Sequence, residues 1–437
     1  MFVIINHMDA IAIITIIVAI LTAGGVVFSA LFNVKIKNLS LYWLISLLGA
    51  VILVFVNIRD IGKILGTLVE NSSINPVKIL VFFLCMTILS IVLDNLNFFN
   101  YVATKCTKLA KNSQFKLFLI FYCLVSLLTI FTSNDIVILA FVPFICYFCK
   151  NSNLNPAPYV FSTFVAANTW SMIFVIGNPT NVYVSSFAGV DFVTYFLKMA
   201  LPTVVCGIVS FFLLLLLFRK QLKEKIQPAE QKNVEINKPL VILNATFLLS
   251  CTILLAISSY IGFEMWYIAL GFVIVELAVN IIICLCKKQS TQYITNSLKR
   301  APWAFVPFLL SMFIIIMCLD ANGITKLVAN LFSQGHPVLM YGVFSFLFSN
   351  LINNIPMTAL FSSILAQGGT NILGVYATII GSNLGALFTP VGALAGIMFL
   401  NILKEKQVDF SIKSFIKYGV VISIISLALS LTMILLV

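Results

Sequence analysis

Residues 117–149 read LFLIFYCLVSLLTIFTSNDIVILAFVPFICYFC, one apolar run broken near its centre by Ser133-Asn134-Asp135. A bilayer is crossed by about 20 apolar residues in a helix, so this run has length enough to enter, break and return. Backbone that leaves the helix at membrane depth is tolerated only where protein or a water-filled cavity covers it. The stretch therefore predicts a re-entrant helical hairpin whose tip lies at a protected site. Residues 340–366 repeat the pattern, with the break at Asn350 to Pro356.

Working outward, simple apolar runs occur near residues 10–32, 40–57, 77–93, 157–186, 192–218, 240–261, 264–286, 303–319, 372–400 and 418–437. The chain has 437 residues, of which 61% are hydrophobic and only 9% charged. A water-soluble protein carries about 25% charged residues. The mean hydropathy of +1.11 agrees with that contrast. An all-α polytopic membrane protein follows. Met1 to Asp9 lacks the basic start of a cleavable signal, and the first apolar run continues for a full span.

The net charge of +12 has a placement that argues against nucleic acid. Basic residues gather in Lys105–Lys116, Arg219–Lys238, Lys287–Arg300 and Lys404–Lys417, between apolar runs. Short basic loops mark the cytoplasmic side, whereas a polynucleotide groove needs a basic stripe interleaved with aromatics. The ten cysteines lie mostly within apolar runs and read as small core residues, the Cys146–Cys149 pair included.

Arg219 to Pro239 is the one clear hydrophilic insertion, and landmarks recur in order on either side of it. Leu93-Asp94-Asn95 returns as Leu319-Asp320-Ala321, and Ser133-Asn134-Asp135 as Asn353-Asn354-Ile355. Asn168 with Gly177 returns as Asn383 with Gly392. The expected organisation is a first repeat over 1–218, a cytoplasmic linker over 219–239 and a second repeat over 240–437. Each repeat has five transmembrane helices, a re-entrant hairpin and a broken helix. An odd number of crossings inverts the second repeat. That topology puts every basic residue except Arg59, Lys63, Lys78, Lys198 and Lys326 in the cytoplasm, and both termini outside.

Inverted repeats with broken helices imply alternating access around a midplane site. Asn134 and Asn354 are expected to cap the half-helices after the hairpin tips, with Pro356 just inside the second. Gly177-Asn178-Pro179-Thr180-Asn181 should interrupt the broken span of the first repeat, since Gly frees φ and Pro removes a donor. Gly381-Ser382-Asn383-Leu384-Gly385 and Thr389-Pro390-Val391-Gly392 are expected to play that part in the second. Asp135 is the only carboxylate in these four elements, and Lys and Arg are absent from them. An ionisable residue at such depth is a candidate for carrying a proton or a cation.

These elements resemble the ion-transporter superfamily that includes arsenite permeases, sodium/proton antiporters of the NhaD type, divalent-anion/sodium symporters and the melanosomal pink-eyed-dilution protein. Phe131 to Asp135, Arg300-Ala301-Pro302-Trp303, Asn353 to Thr358 and Gly381 to Gly392 are similar to the arsenite permease (ArsB) branch. Arsenite permeases similar to this chain usually carry Asp where Asn168 and Asn383 stand, and Lys where Leu387 stands. The run 177–181 is closer to the melanosomal branch.

The reading is a multi-pass cell-membrane protein and a secondary-active transporter of a small solute. Arsenite, antimonite or a related small anion leads, with proton or sodium coupling. A sodium/proton antiporter or a sodium-coupled dicarboxylate or anion symporter is the alternative, and a passive channel ranks below both. Ser133, Asn134, Asn168, Thr169, Asn178, Thr180 and Asn181 form the expected first half-site. Asn353, Asn354, Thr358, Asn383 and Thr389 form the second. Gly177, Pro179, Pro356, Pro390 and Gly392 break the helices, and Asp135 couples. No catalytic residue, metal or cofactor is expected, because His7 and His336 are the only histidines and no HExxH motif occurs. Partners are the solute or ion and the lipid bilayer. A homodimer is compatible with the sequence, as is a separate ATPase subunit, since the chain has no P-loop of its own.

Overall fold

A computed structural model describes residues 9–32, 34–36, 39–62, 64, 66, 75–110, 113–223, 226 and 235–436. The Met1–Met8 segment, Lys63 and the middle of the Arg219–Pro239 linker with Pro228 lie outside these residues.

Before the linker the helices are α1 (Ala10–Leu31), α2 (Tyr42–Val56), α3 (Pro76–Asn95), α4 (Phe98–Ala110) and α5 (Gln114–Phe131). There follow α6 (Asn134–Asn151), α7 (Ala157–Trp170), α8 (Pro179–Phe187) and α9 (Phe192–Phe218). After the linker come α10 (Lys238–Ala256), α11 (Met265–Cys286), α12 (Gln292–Arg300), α13 (Phe305–Ala321) and α14 (Ile324–Phe332). The chain ends with α15 (Pro337–Ile352), α16 (Asn354–Gln367), α17 (Ile372–Phe388), α18 (Leu394–Glu405) and α19 (Ile412–Met433). A two-residue antiparallel pairing, Ile36 opposite Leu39, forms the one sheet among the described residues. Nine described helical segments are long and apolar enough to cross a bilayer. The protein is an all-helical polytopic membrane protein.

Polar residues start several of the apolar helices by capping free backbone N–H groups. The Asn75 Oδ1 accepts from the amides of Val77 and Lys78, and Pro76 occupies the first turn of α3. Ser113, Asp191, Asn371 and Ser411 cap α5, α9, α17 and α19 in the same way. Large apolar side chains such as Phe55, Leu216, Ile274 and Ile282 face outward, as suits helices whose solvent is lipid.

The longest stretches buried on every face are α7 from Pro158 to Thr169 and α17 from Gly374 to Leu387. A helix enclosed all round lies at the centre of a bundle. The α17 helix runs along α15 and against α19, while α7 packs on α5, α6 and α9. The two regions also interlock, because α18 packs on α6 and α8 packs on α16. The α3 helix is tied at both ends. Lys78 pairs with Glu264 before α11 at 2.7 Å, and Asp94 pairs with Arg300 of α12 at 2.6 Å.

The two helix breaks lie where the sequence puts them, with one shift of register. Helix α5 stops at Phe131 and α6 begins at Asn134, while α15 stops at Ile352 and α16 begins at Asn354. The capping positions are therefore Ser133 and Asn353, one residue before the asparagines expected there. Asn353 Oδ1 accepts from the Ile355 amide at 3.4 Å. Its backbone sits at φ +75°, a conformation uncommon outside glycine.

The broken spans differ more from expectation. The first helix ends at Trp170, well before Gly177, and residues Val175–Gly177 form a single 3-10 turn. The second runs unbroken through Gly381–Gly385 and ends only at Phe388, with the matching turn at Pro390–Gly392. Gly381-Ser382-Asn383-Leu384-Gly385 is thus a helix–helix contact surface and not a break. A Cβ on Gly381 would collide with Ser345 and the Gly342 carbonyl of α15, and one on Gly385 would come within 2.8 Å of the Ser349 Cβ. Small residues spaced four apart let helices approach closely within a membrane. The two 3-10 turns share one further constraint. A Cβ on Gly177 would meet the Ser171 carbonyl, and a Cβ on Gly392 the Gly385 carbonyl.

Candidate polar site between the broken helices

Asn383, on the face of α17 turned away from α15, reaches the first broken span. Its Oδ1 accepts from Asn178 Nδ2 at 2.8 Å and from Ser171 Oγ at 3.2 Å. Its Nδ2 donates to Asn181 Oδ1 at 2.7 Å and to the Ile379 carbonyl at 2.9 Å. Asn181 is oriented in turn by donating to the Ser171 and Phe174 carbonyls. The amide carbonyl of Asn178 caps α8 through the Thr180 amide. These groups are fully or almost fully buried. They form one neutral cluster joining residues about 200 apart in sequence.

The break between α5 and α6 connects to the same cluster. Asn134 Nδ2 donates to Asn168 Oδ1 at 3.0 Å, and Asn168 donates onward to the Phe164 carbonyl. Ser171 Oγ lies within hydrogen-bonding distance of both the Asn168 carbonyl and Asn383 Oδ1. Ser133 Oγ makes only a 3.4 Å contact to Asn134 Oδ1. Asp135, in the first turn of α6, is half-buried and has no hydrogen-bond or ion-pair partner among the described residues.

At the second break, Asn353 Nδ2 donates to the Val391 carbonyl of the second 3-10 turn. Asn350, one turn before the break, closes that turn. Its Oδ1 accepts from the Thr389 hydroxyl at 2.6 Å and the Thr389 amide at 3.1 Å, and its Nδ2 donates to the Gly385 carbonyl. Pro356 occupies the first turn of α16, where its missing N–H leaves no bond unmade. Pro179 and Pro390 begin α8 and the second turn, after the break rather than within a helix.

Not every expected residue joins the cluster. Thr169 Oγ1 bonds back to the Val165 carbonyl, and Thr358 Oγ1 to the Ile355 carbonyl, so both hydroxyls are satisfied within their own helices. Three polar atoms at the site are buried without any partner: Thr180 Oγ1, Asn354 Oδ1 and Ser382 Oγ. Buried polar atoms are almost always hydrogen-bonded, so these three are open to a further partner. Ser171, Ser382 and Asn350 were not among the residues expected from sequence. Asn350 had a signal, since it opens the polar cluster ending at Pro356.

Cavities open at opposite ends of α3. One of about 670 Å³ is lined by Asn97, Asn100, Lys150, Glu405 and Lys406 among others. Another of about 460 Å³ is bounded by Lys78, Ser186, Asp191, Glu264 and Trp266.

Residues 30–372 match the family described as citrate transporter, CitMHS. A Bacillus subtilis (strain 168) protein, provisionally named an arsenical pump membrane protein, is 27% identical over 409 residues, 86% of this chain and 89% of its own length. An Escherichia coli protein named arsenical pump membrane protein is 24% identical over 413 residues, covering 89% of this chain and 91% of its own. The crystal structure of the Alcanivorax borkumensis YdaH transporter superposes with a TM-score of 0.54 at 11% identity, over 98% of both chains. At that identity the likeness is one of fold.

Proposed function

Because this chain belongs to the CitMHS citrate transporter family and is a membrane transporter, we propose that it moves a small solute by alternating access at the amide cluster around Asn383. The family and the structural neighbour are transporters, not enzymes. The observation that carries the reading is Asn383 itself, whose side chain crosses from the second broken span to bond Asn178, Asn181 and Ser171 of the first. In this conformation the amides satisfy one another and the cluster is shut off from both surfaces. A solute that replaced those bonds would be handed between the two spans as they separate on one side or the other.

The recurrence of helix start, 3-10 turn and restart in both regions supports two repeats, 1–218 and 240–437, joined by the 219–239 linker. The interlocking of α18 with α6 and of α8 with α16 suits an inverted arrangement. With Lys150, Lys406 and the basic linker on the cytoplasmic side of the cell membrane, the larger cavity is the inner vestibule and that at Lys78 and Glu264 the outer one. Both termini are then extracytoplasmic. We assign coupling to Asp135, the carboxylate next to the Asn134–Asn168 contact.

The chemistry of the cluster favours arsenite or antimonite over citrate. Arsenous acid is an uncharged trihydroxide at neutral pH, and a site of amides and hydroxyls without Lys or Arg can exchange hydrogen bonds with it at little electrostatic cost. A multiply charged carboxylate would depend on helix N-termini alone. The test is reconstitution in lipid vesicles with arsenite, antimonite and citrate, imposing proton and sodium gradients separately. Arsenite flux driven by one of the gradients is expected. Driven citrate flux without arsenite flux would overturn the substrate assignment, and flux insensitive to every gradient would make the protein a channel.

A further inference from the structure

Away from the amide cluster, α11 carries Glu276 and Asn280 one helical turn apart. Asn280 is fully committed. It exchanges amide bonds with Asn244 of α10 at 2.7 and 3.1 Å and accepts from the Tyr293 hydroxyl at 2.8 Å. It also donates to the backbone carbonyl of Glu276 at 2.7 Å. The Glu276 side chain has no such commitments. It is fully buried, and neither carboxylate oxygen has a hydrogen-bond partner among the described residues.

Helices α3, α10 and α12 pack against α11, and none of them supplies a cation to Glu276. Lys78 on α3 is bound to Glu264 and Arg300 on α12 to Asp94, while Lys238 at the start of α10 and Lys299 on α12 are exposed at the surface. Lys287 and Lys288, past the end of α11, lie about 16 Å or more along the axis at 1.5 Å per residue. The neutral titratable groups nearby are Cys251 of α10, whose sulfur meets Met86 of α3 at 3.9 Å, Cys85 of α3, Cys284 of α11, and Tyr293 of α12. An ionised carboxylate is strongly disfavoured in such a place without a cation or donors. The form that fits the surroundings is the carboxylic acid.

We propose that Glu276 is a proton-binding site, separate from the solute site, that holds a proton in this conformation and releases it to water during transport. The step is a simple dissociation: the O–H bond of the Glu276 carboxyl breaks, the proton passes to water, and the carboxylate keeps the electron pair. Reloading is the reverse. Among the described residues no polar atom lies within hydrogen-bonding distance of either carboxylate oxygen, and a metal ion needs several such ligands where a proton needs none. The release step rests on the transport reading above, whereas the protonation does not.

Two measurements on the full chain in lipid test it. Infrared spectra at neutral pH, in light and heavy water, should show a protonated-carboxyl C=O band that shifts on deuteration and is missing in Glu276→Gln. Absence of any difference in that band between the two proteins would overturn the site. In vesicles, Glu276→Gln should lose stimulation of uptake by an imposed proton gradient while solute counterflow persists, and Glu276→Asp should recover part of the stimulation. Unchanged proton-driven uptake in Glu276→Gln would overturn the proposal even if the band were present. Where Glu276→Gln fails to fold, Glu276→Leu replaces it, since an apolar side chain suits the buried setting. No counterflow of any solute in the unmodified protein would sink the transport reading alone, and the infrared comparison would still decide the protonation.

Discussion

Asn383 holds Asn181 and Asn178 in opposite senses, giving its N–H to one at 2.7 Å and taking an N–H from the other at 2.8 Å. A neutral amide does both through separate atoms, its nitrogen donating and its oxygen accepting. Asn383→Ala therefore leaves the Asn178 donor and the Asn181 acceptor unpaired in a buried site. Each unsatisfied group costs about 1–3 kcal/mol. Lower thermal stability in detergent and loss of solute counterflow are expected. Full counterflow at unchanged stability would show that the two broken spans do not meet through this residue.

Asn383→Asp separates charge from geometry. The Asn181 amide cannot turn over without giving up its bonds to the Ser171 and Phe174 carbonyls, so its Oδ1 stays pointed at position 383. A protonated Asp there can donate to that oxygen and accept from Asn178, whereas an ionised one sets two acceptors against each other. Counterflow by the variant should be highest at acid pH and fall as pH rises and the introduced carboxyl ionises. The unmodified protein should lack this added dependence. A variant profile parallel to that of the unmodified protein would mean that the amide donor is not needed.

Much of the fold was legible because interruptions stand out in apolar runs. Ser133-Asn134-Asp135 and Asn353-Asn354-Ile355 mark helix breaks to within a residue, since polar clusters interrupt otherwise apolar runs there. Glycine was harder to read. Gly177 and Gly392 do sit at breaks, where neighbouring carbonyls leave no room for a Cβ, but Gly381 and Gly385 lie within an unbroken helix for the same steric reason. Spacing alone does not tell a turn from a close helix contact. Ser171 and Asn350 join the network through partners brought together only by the fold, while Thr169 and Thr358 turn back onto their own helices. That competition between local and tertiary bonding is common for hydroxyl side chains.

The α15–α17 contact gives a prediction with its own rescue. Gly385→Ala would bring the new Cβ within 2.8 Å of the Ser349 Cβ. Overpacking of this kind costs about 1–3 kcal/mol, which outweighs the gain of up to about 1 kcal/mol from replacing helical glycine. Gly385→Ala should lower the melting temperature in detergent. Ser349→Gly added to it should restore part of the loss, and the Phe346 carbonyl, 2.9 Å from the same Cβ, keeps the rest. Stabilisation by Gly385→Ala alone would show that the two helices have room to spare.

Asp191 starts α9 by accepting from the Val193 and Thr194 amides, both at 3.0 Å. Partial burial works against its charge, but hydrogen bonds from Thr194 and Val193 outweigh it and hold the carboxyl below the usual carboxylate value. A group whose acidity is raised by folding stabilises the protein above its unfolded-state value and loses that contribution as pH falls through the folded one. Asp191→Ala should cost about 0.5–2 kcal/mol near neutrality, the range for a lost N-cap. The gap between variant and parent should narrow under acid. A gap that stays constant from neutral pH to below the carboxylate range would assign the loss to packing.

Asp135 provides the most direct test of coupling. Its carboxyl lies in the first turn of α6, beside the Asn134–Asn168 contact, and the helix N-terminus offsets part of its charge. Asp135→Asn keeps size and the accepting oxygen but removes the charge and the titration. Because no residue bonds this carboxylate in the described structure, folding should be little affected, with a change in stability of about 0.5 kcal/mol or less, as for sites away from special contacts. Gradient-driven uptake should be abolished, while counterflow, which needs only solute binding and the change of access, should continue. Loss of counterflow as well would make Asp135 part of solute binding, and undiminished driven uptake would remove it from coupling. Comparing Asp135→Asn with Glu276→Gln under separate proton and sodium gradients then assigns each carboxyl its ion, because an acid serving only as a proton site leaves sodium-driven flux untouched.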